Sequence, residues 1–281
     1  MKRALVALAV VSLSAAVFAQ DKPDVEKDRA AIRQAALDYA EGYYEGNAER
    51  MGRALHPLLM KRGLIPSSQP GGSFLVQMNS EMLVEATRSG RGKLAPEERK
   101  IAVEVLDVLE NSASAKVFTA RFNDYLHLAK VNGQWRLVNV LWRPPAPQTT
   151  TAIKQEGEAI KQAFKELREG ANAKDAERVR RVIHPEIAKR TYVSASPGGN
   201  MIVQELNGET LLEVVRIGRA VAPPDQPTPE VTVLDVYEDI ASAKLSLPGY
   251  ADYIHLAKQG GQWRIVNGLS YRAAPAPPPA K

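Results

Sequence analysis

The chain has 281 residues, 44% of them hydrophobic and 25% charged, the proportions of an ordinary globular protein. It has no cysteine, which excludes disulfides, thiolate metal sites and a cysteine nucleophile. The net charge of +5 owes two units to Lys2 and Arg3; the remaining 35 basic and 32 acidic residues form no basic stripe interleaved with aromatics, so no nucleic-acid partner is expected.

Met1-Lys2-Arg3 followed by the apolar run Ala4 to Phe18 reads as a signal peptide, with cleavage ahead of Gln20. The run is shorter than the roughly 20 residues a spanning helix needs. The expected mature protein is therefore exported, periplasmic or extracellular, and free of the membrane once residues 1–19 are removed. A first helix is predicted from about Val25 to Tyr44, with Ile32, Ala35, Ala36, Tyr39, Ala40 and Tyr43 on one face. A short second helix follows the N-cap Asn47 and stops at His56-Pro57, because proline keeps the residue before it out of helical geometry. The stretch after it reads as irregular, with a turn at Pro70-Gly71-Gly72. A third helix is predicted from Asn79 to Gly90. Strands are expected over 101–109, over the unusually long stretch 113–130, and over 135–142.

Then the pattern repeats. Asp124 to Trp142 reads DYLHLAKVNGQWRLVNVLW, and 128 residues later Asp252 to Leu269 reads DYIHLAKQGGQWRIVNGL. Each copy predicts a hairpin, with Asn132-Gly133 or Gly260-Gly261 supplying the positive φ of a tight turn. Second copies of the helices are expected from the apolar face Ile160, Ala163, Phe164, Leu167 and Ala171 onward, and Pro248-Gly249 suggests a bend in the second long strand. The expected organisation is a signal peptide at 1–19, one repeat over 25–145, a Pro/Thr linker at 146–152, a second repeat over 153–272 and a proline-rich tail at 273–281. Helices first and sheet last give an α+β fold: two cone-shaped domains, each with N-terminal helices packed on a curled antiparallel sheet. The two sheets are expected to pack together as an intramolecular pseudo-dimer.

The order of elements, with D-Y-x-H-L-A-K and G-Q-W-R-x-V-N after A-E-R-x-x-R-x-x-H-P (Ala48–Pro57, and approximately Ala176–Pro185), resembles the nuclear transport factor 2-like superfamily, which includes the SnoaL-like proteins. More narrowly it resembles that superfamily's putative lumazine-binding family. The resemblance covers almost all of both repeats. It implies the cone fold and carries over no established reaction.

The four histidines fall at equivalent positions, His56 with His184 and His127 with His255. Histidine can serve as acid, base or ligand near neutral pH, but His56 and His184 read equally as helix-end residues. Strand alternation puts Asp124 and His127 on opposite faces, Tyr125 with His127 on one face, and Trp135 with Asn139 on one face. Such a set could wall a pocket for a small aromatic ligand, or form a buried polar network that fixes the hairpin. The candidate ligand-binding residues are Tyr43, Tyr125, His127, Trp135 and Asn139 in the first cone, with His255 as their counterpart in the second. The first cone is preferred because Tyr39, Tyr43 and Tyr44 stand where the second has Leu167, Ala171 and Asn172. No metal or cofactor motif is present in the sequence. The expected function is small-molecule binding or interaction without catalysis; the alternative is a SnoaL-like enzyme doing histidine acid–base chemistry on a small organic substrate.

Overall fold

The computed structural model describes residues 24–69, 72–146, 153–194 and 201–272. The expected signal peptide, most of the linker and the tail lie outside the described residues. None of the described helices is long and apolar enough to cross a membrane.

The first unit begins with α1 (Val25–Glu45), whose N-cap Asp24 accepts from the Lys27 amide and which ends at Gly46 in the left-handed conformation. α2 (Ala48–Ala54), capped by Asn47, leads directly into β1 (Leu55–Pro66). β2 (Ser73–Asn79), α3 (Ser80–Arg88), β3 (Ala102–Leu109), β4 (Ser112–Phe118), β5 (Asn123–Val131) and β6 (Gln134–Arg143) follow. The second unit repeats the order with α4 (Ile153–Asn172), α5 (Ala176–Val182), β7 (Ile183–Ser194), β8 (Met201–Asn207), α6 (Gly208–Arg216), β9 (Glu230–Tyr237), β10 (Ile240–Leu247), β11 (Tyr250–Gln259) and β12 (Gln262–Arg272). Each unit is a six-stranded sheet, in the orders β2-β1-β6-β5-β4-β3 and β8-β7-β12-β11-β10-β9. All neighbours are antiparallel except β1 with β6 and β7 with β12.

Three expectations require correction. The segment read as irregular after α2 is β1, which enters the middle of the sheet as the parallel partner of β6. Its Pro57 precedes the paired stretch Met60–Gly63, so the missing donor costs no ladder bond there. Each unusually long strand is in fact a hairpin: Thr119 to Phe122 turns the chain between β4 and β5, and Pro248-Gly249 is the turn between β10 and β11, with Gly249 at φ 71°. Finally, Trp135 and Asn139 do not share a face. His127 pairs with Asn139 and Leu128 with Leu137, which leaves Val138 as a bulge residue. One extra residue reverses the alternation, and Val266 does the same in the second unit.

The helices cover one face of each sheet. Ile32, Ala36, Tyr39 and Ala40 of α1 bury against Leu126, Leu128, Leu137 and Val140. Ile160, Ala163 and Phe164 of α4 bury against Ile254, Leu256 and Ile265. The other faces meet each other. Leu64, Tyr125 and Leu141 of the first unit share a buried cluster with Ile240, Ala257 and Val266 of the second, and Ala129 and Val138 share one with Tyr253 and Leu269. The molecule is therefore an internal pseudo-dimer, sheet on sheet, with a helix layer on each outside.

Candidate functional site

Two kinds of polar site result: the seam between the sheets, and the cone under each helix layer.

The seam takes up most of the repeated hairpin. His127 and His255 are fully buried and stacked, with ring centres 3.5 Å apart. Ser114 and Ser242 hydrogen-bond to each other at 2.9 Å. The Tyr125 hydroxyl donates to Asp235 of the opposite unit at 2.9 Å, and Tyr253 donates to Asp107 at 2.6 Å. Lys116 and Lys244 join the same two carboxylates at 2.9 and 2.7 Å. Arg62 donates to Asn267 across the seam at 2.7 Å, and Arg190 donates to Asn139. Each asparagine then donates its amide N–H to the histidine on its own sheet at 3.2 Å. Burial and the neighbouring Arg190 hold His127 well below the usual histidine range; burial, His127 and Arg62 do the same to His255. Burial and the Arg190 charge push Arg62 down to about 10. A histidine kept neutral, enclosed and directed away from both cones is poorly placed to exchange protons with a cone-bound molecule.

The rest of the motif anchors the helices. Lys130 and the Trp135 indole N–H both donate to Asp28 in the first turn of α1, at 2.7 and 2.8 Å. Lys258 and Trp263 bond Glu156 of α4 in the same way, each at 2.7 Å.

The candidate set from the sequence is thus divided by the sheet. Tyr125, His127, Asn139 and His255 come together in the seam. Trp135 and Tyr43 lie on the helix side, apart from those four, with Trp135 fixed to Asp28 and Tyr43 packed edge-on to Phe122.

The cones hold polar clusters built from residues outside the candidate ligand-binding set. In the first, Asp124 accepts from Tyr39 and, at 2.9 Å, from Lys61. The Lys61 ammonium lies 5.0 Å from the ring centres of Phe122 and Trp142. Burial pushes the Asp124 carboxyl up and the Lys61 amine down, each only partly opposed by the other. In the second, Lys189 and Tyr250 donate to Asp252, the tyrosine at 2.6 Å. Burial works against the Lys189 ammonium, but Asp252 and Tyr250 outweigh it and hold it above the ordinary lysine range. The tyrosine has changed source. Tyr39 comes from α1 and faces Phe122 in the turn before β5, whereas their counterparts are Leu167 and Tyr250. A repeated Lys-Arg pair, 61–62 and 189–190, was the available signal: each lysine serves its own cone and each arginine the seam.

The first cone is closed by its own side chains. Tyr44 stacks on Phe122 with ring centres 5.5 Å apart, and Arg29 and Arg33 of α1 donate to the Val105 and Val103 carbonyls of β3. Trp142 also fits here because its neighbour is Gly63. A methyl at that position would sit 2.3 Å from the indole, and the second unit has Thr191 and Ser270 instead.

The second cone lacks these closures. Gly157 and Lys161 replace the two arginines, and Asn172 replaces Tyr44. A cleft of about 600 Å³ opens between α4, β9 and β10, with Phe164, Val231 and Leu245 as apolar lining and Lys161, Lys165 and Arg168 on the helix. That volume is typical of small-molecule sites. Leu245 pairs directly with Asp252, so the cleft adjoins the lysine–aspartate–tyrosine cluster. A second recess of about 500 Å³, beside Tyr44, Lys93 and Arg99, is a surface depression outside the cone, and its Glu45 is already paired with Arg50 and Arg99.

A family model described as putative lumazine-binding matches the chain twice, over residues 27–143 and 155–271. No curated protein matches it. Similar solved structures include an NTF2-like protein of unknown function from Shewanella baltica, 18% identical, covering 45% of this chain and 99% of its own, with a TM-score of 0.34. Another, from Methylobacillus flagellatus, is 20% identical and covers 43% of this chain and 94% of its own, with a TM-score of 0.35.

Proposed function

The chain belongs to the putative lumazine-binding family, and on that premise we propose that it is an exported, non-catalytic binding protein for a small organic molecule. The observation that carries this reading is the cleft between α4, β9 and β10, which has an apolar lining and an open rim. We therefore take the second unit, rather than the first cone, as the ligand site, because Tyr39 and Tyr44 pack against Phe122 in the first. Absence of catalysis is supported by how the polar residues are used. His127 and His255 face the seam, while Asp28, Asp107, Asp235 and Glu156 are tied to partners that hold the fold together.

The test is calorimetric titration of the mature chain with a panel of small aromatic compounds. Leu245→Trp, which fills the cleft, should abolish binding, while His127→Gln should leave it intact. Binding that survives Leu245→Trp would place the ligand elsewhere. Export rests on residues 1–19 and is tested by the mass of the secreted protein, expected to begin near Gln20; a mass that includes Met1 would refute it.

A further inference from the structure

The cleft has a chemical preference. Lys161, Lys165 and Arg168 stand at i, i+4 and i+7 of α4 and so share one face of that helix, next to the apolar Phe164. One carboxylate, Glu169, lines the cleft and lies 4.0 Å from Lys165. Arg178 takes Glu166 at 2.7 Å and also pairs with Glu169, and Lys161 has only the exposed Glu158. Arg168 forms no ion pair with a described residue. The first unit has Arg33, Leu37 and Ala40 at the same positions, and Arg33 is used as a strap to the Val103 carbonyl. The cationic stripe therefore belongs to the open cleft alone.

We propose that the second unit binds small amphipathic anions, molecules with a flat or aliphatic apolar body and a carboxylate. The body would lie against Phe164, Val231 and Leu245, with the carboxylate outward against Lys165 and Arg168. The inference rests on the cleft being the ligand site. Its physical basis is charge complementarity at a partly desolvated rim, where an ion pair is screened less than on open surface. Arginine adds a planar fork that matches a carboxylate with two parallel hydrogen bonds.

The experiment compares 2-naphthoate with 2-naphthol on the full mature chain by titration calorimetry at neutral pH. The two probes share a ring system, and only the first is charged. Naphthoate should bind at least tenfold more tightly, and more weakly as salt is raised. Lys165→Gln with Arg168→Gln should reduce naphthoate affinity about tenfold and leave naphthol unchanged. These substitutions lie on the outer helix, and an unaltered melting temperature confirms that the fold is intact. Equal binding of both probes, with both lost in Leu245→Trp, would overturn the anion preference while keeping the cleft. Binding of neither probe would overturn both readings.

Discussion

The imidazoles of His127 and His255 lie face to face on the pseudo-twofold axis, 3.5 Å between centres and 27° between planes. The Asn139 side-chain oxygen accepts from Arg190, so its amide N–H must be what meets the His127 Nδ1. The ring therefore accepts at Nδ1 and carries its proton on Nε2, and the Arg62–Asn267–His255 chain imposes the same on the other ring. This tautomer pair is compatible only with neutral histidines.

A pH dependence follows. Both rings are held below the unfolded value near 6.5, so between the two values the unfolded chain binds more protons. Their contribution is fully present above about pH 6.5 and is lost as the pH falls below that toward the depressed folded values. Each histidine adds up to about 1.4 kcal/mol per pH unit to the slope. Thermal melts should show stability falling steadily from pH 6.5 to 5, with a shallower slope in His127→Gln; His56 and His184, which burial also lowers, add to what remains. A flat profile in that window would contradict neutral, enclosed rings.

The crossed tyrosine bonds should couple the units. Tyr253→Phe and Asp107→Asn should each destabilise by about 1–2 kcal/mol, and the double variant by less than their sum. The mirror pair, Tyr125 with Asp235, should behave alike in urea unfolding.

Within the cones, removing one ion should cost more than removing both. Asp124→Ala strands the Lys61 ammonium among aromatic rings, a loss of about 3–5 kcal/mol. Lys61→Met combined with Asp124→Leu should recover most of that. Asp252→Ala should cost less, because the Lys189 side chain is 25% exposed and water can partly replace its partner.

A chain limited to residues 24–146 should self-associate. The equivalents of Asp235 and Ser242 are Asp107 and Ser114, so a second copy presents the groups that Tyr125 and Ser114 already meet. Light scattering should show a dimer that dissociates on dilution; a stable monomer would argue against a self-complementary seam.

Much of this was legible in the sequence because repetition exposes it. The hairpin, its Asn132-Gly133 turn, the caps Asn47 and Asn79, and the sheet pairing of two equal units all follow from local chemistry and the 128-residue offset. The Val138 and Val266 bulges were not legible, since one inserted residue leaves no mark in an apolar run, yet it decides which face Asn139 occupies. β1 was hidden because its paired residues on β6 lie 79 positions on, as Met60 with Asn139, and its core mixes Lys61 and Arg62 into an apolar strand. The cleft proposed as the ligand site was not legible, for a volume reason. Tyrosines on α1 read as ligand contacts, but Tyr44 and Phe122 stack on each other in the first unit, and it is the smaller Asn172 that lines the cleft in the second.

The repeated hairpins of the two units pack against each other and build an internal seam. A cross-link at Ser114 and Ser242, whose hydroxyl oxygens are 2.9 Å apart, tests it most directly. The natural chain has no cysteine, so Ser114→Cys with Ser242→Cys introduces the only two thiols. After oxidative refolding the variant should form one intramolecular disulfide, run as a more compact monomer on a non-reducing gel, and leave no titratable thiol. Persistent free thiols in a folded monomer, or disulfide-linked dimers in their place, would contradict the seam.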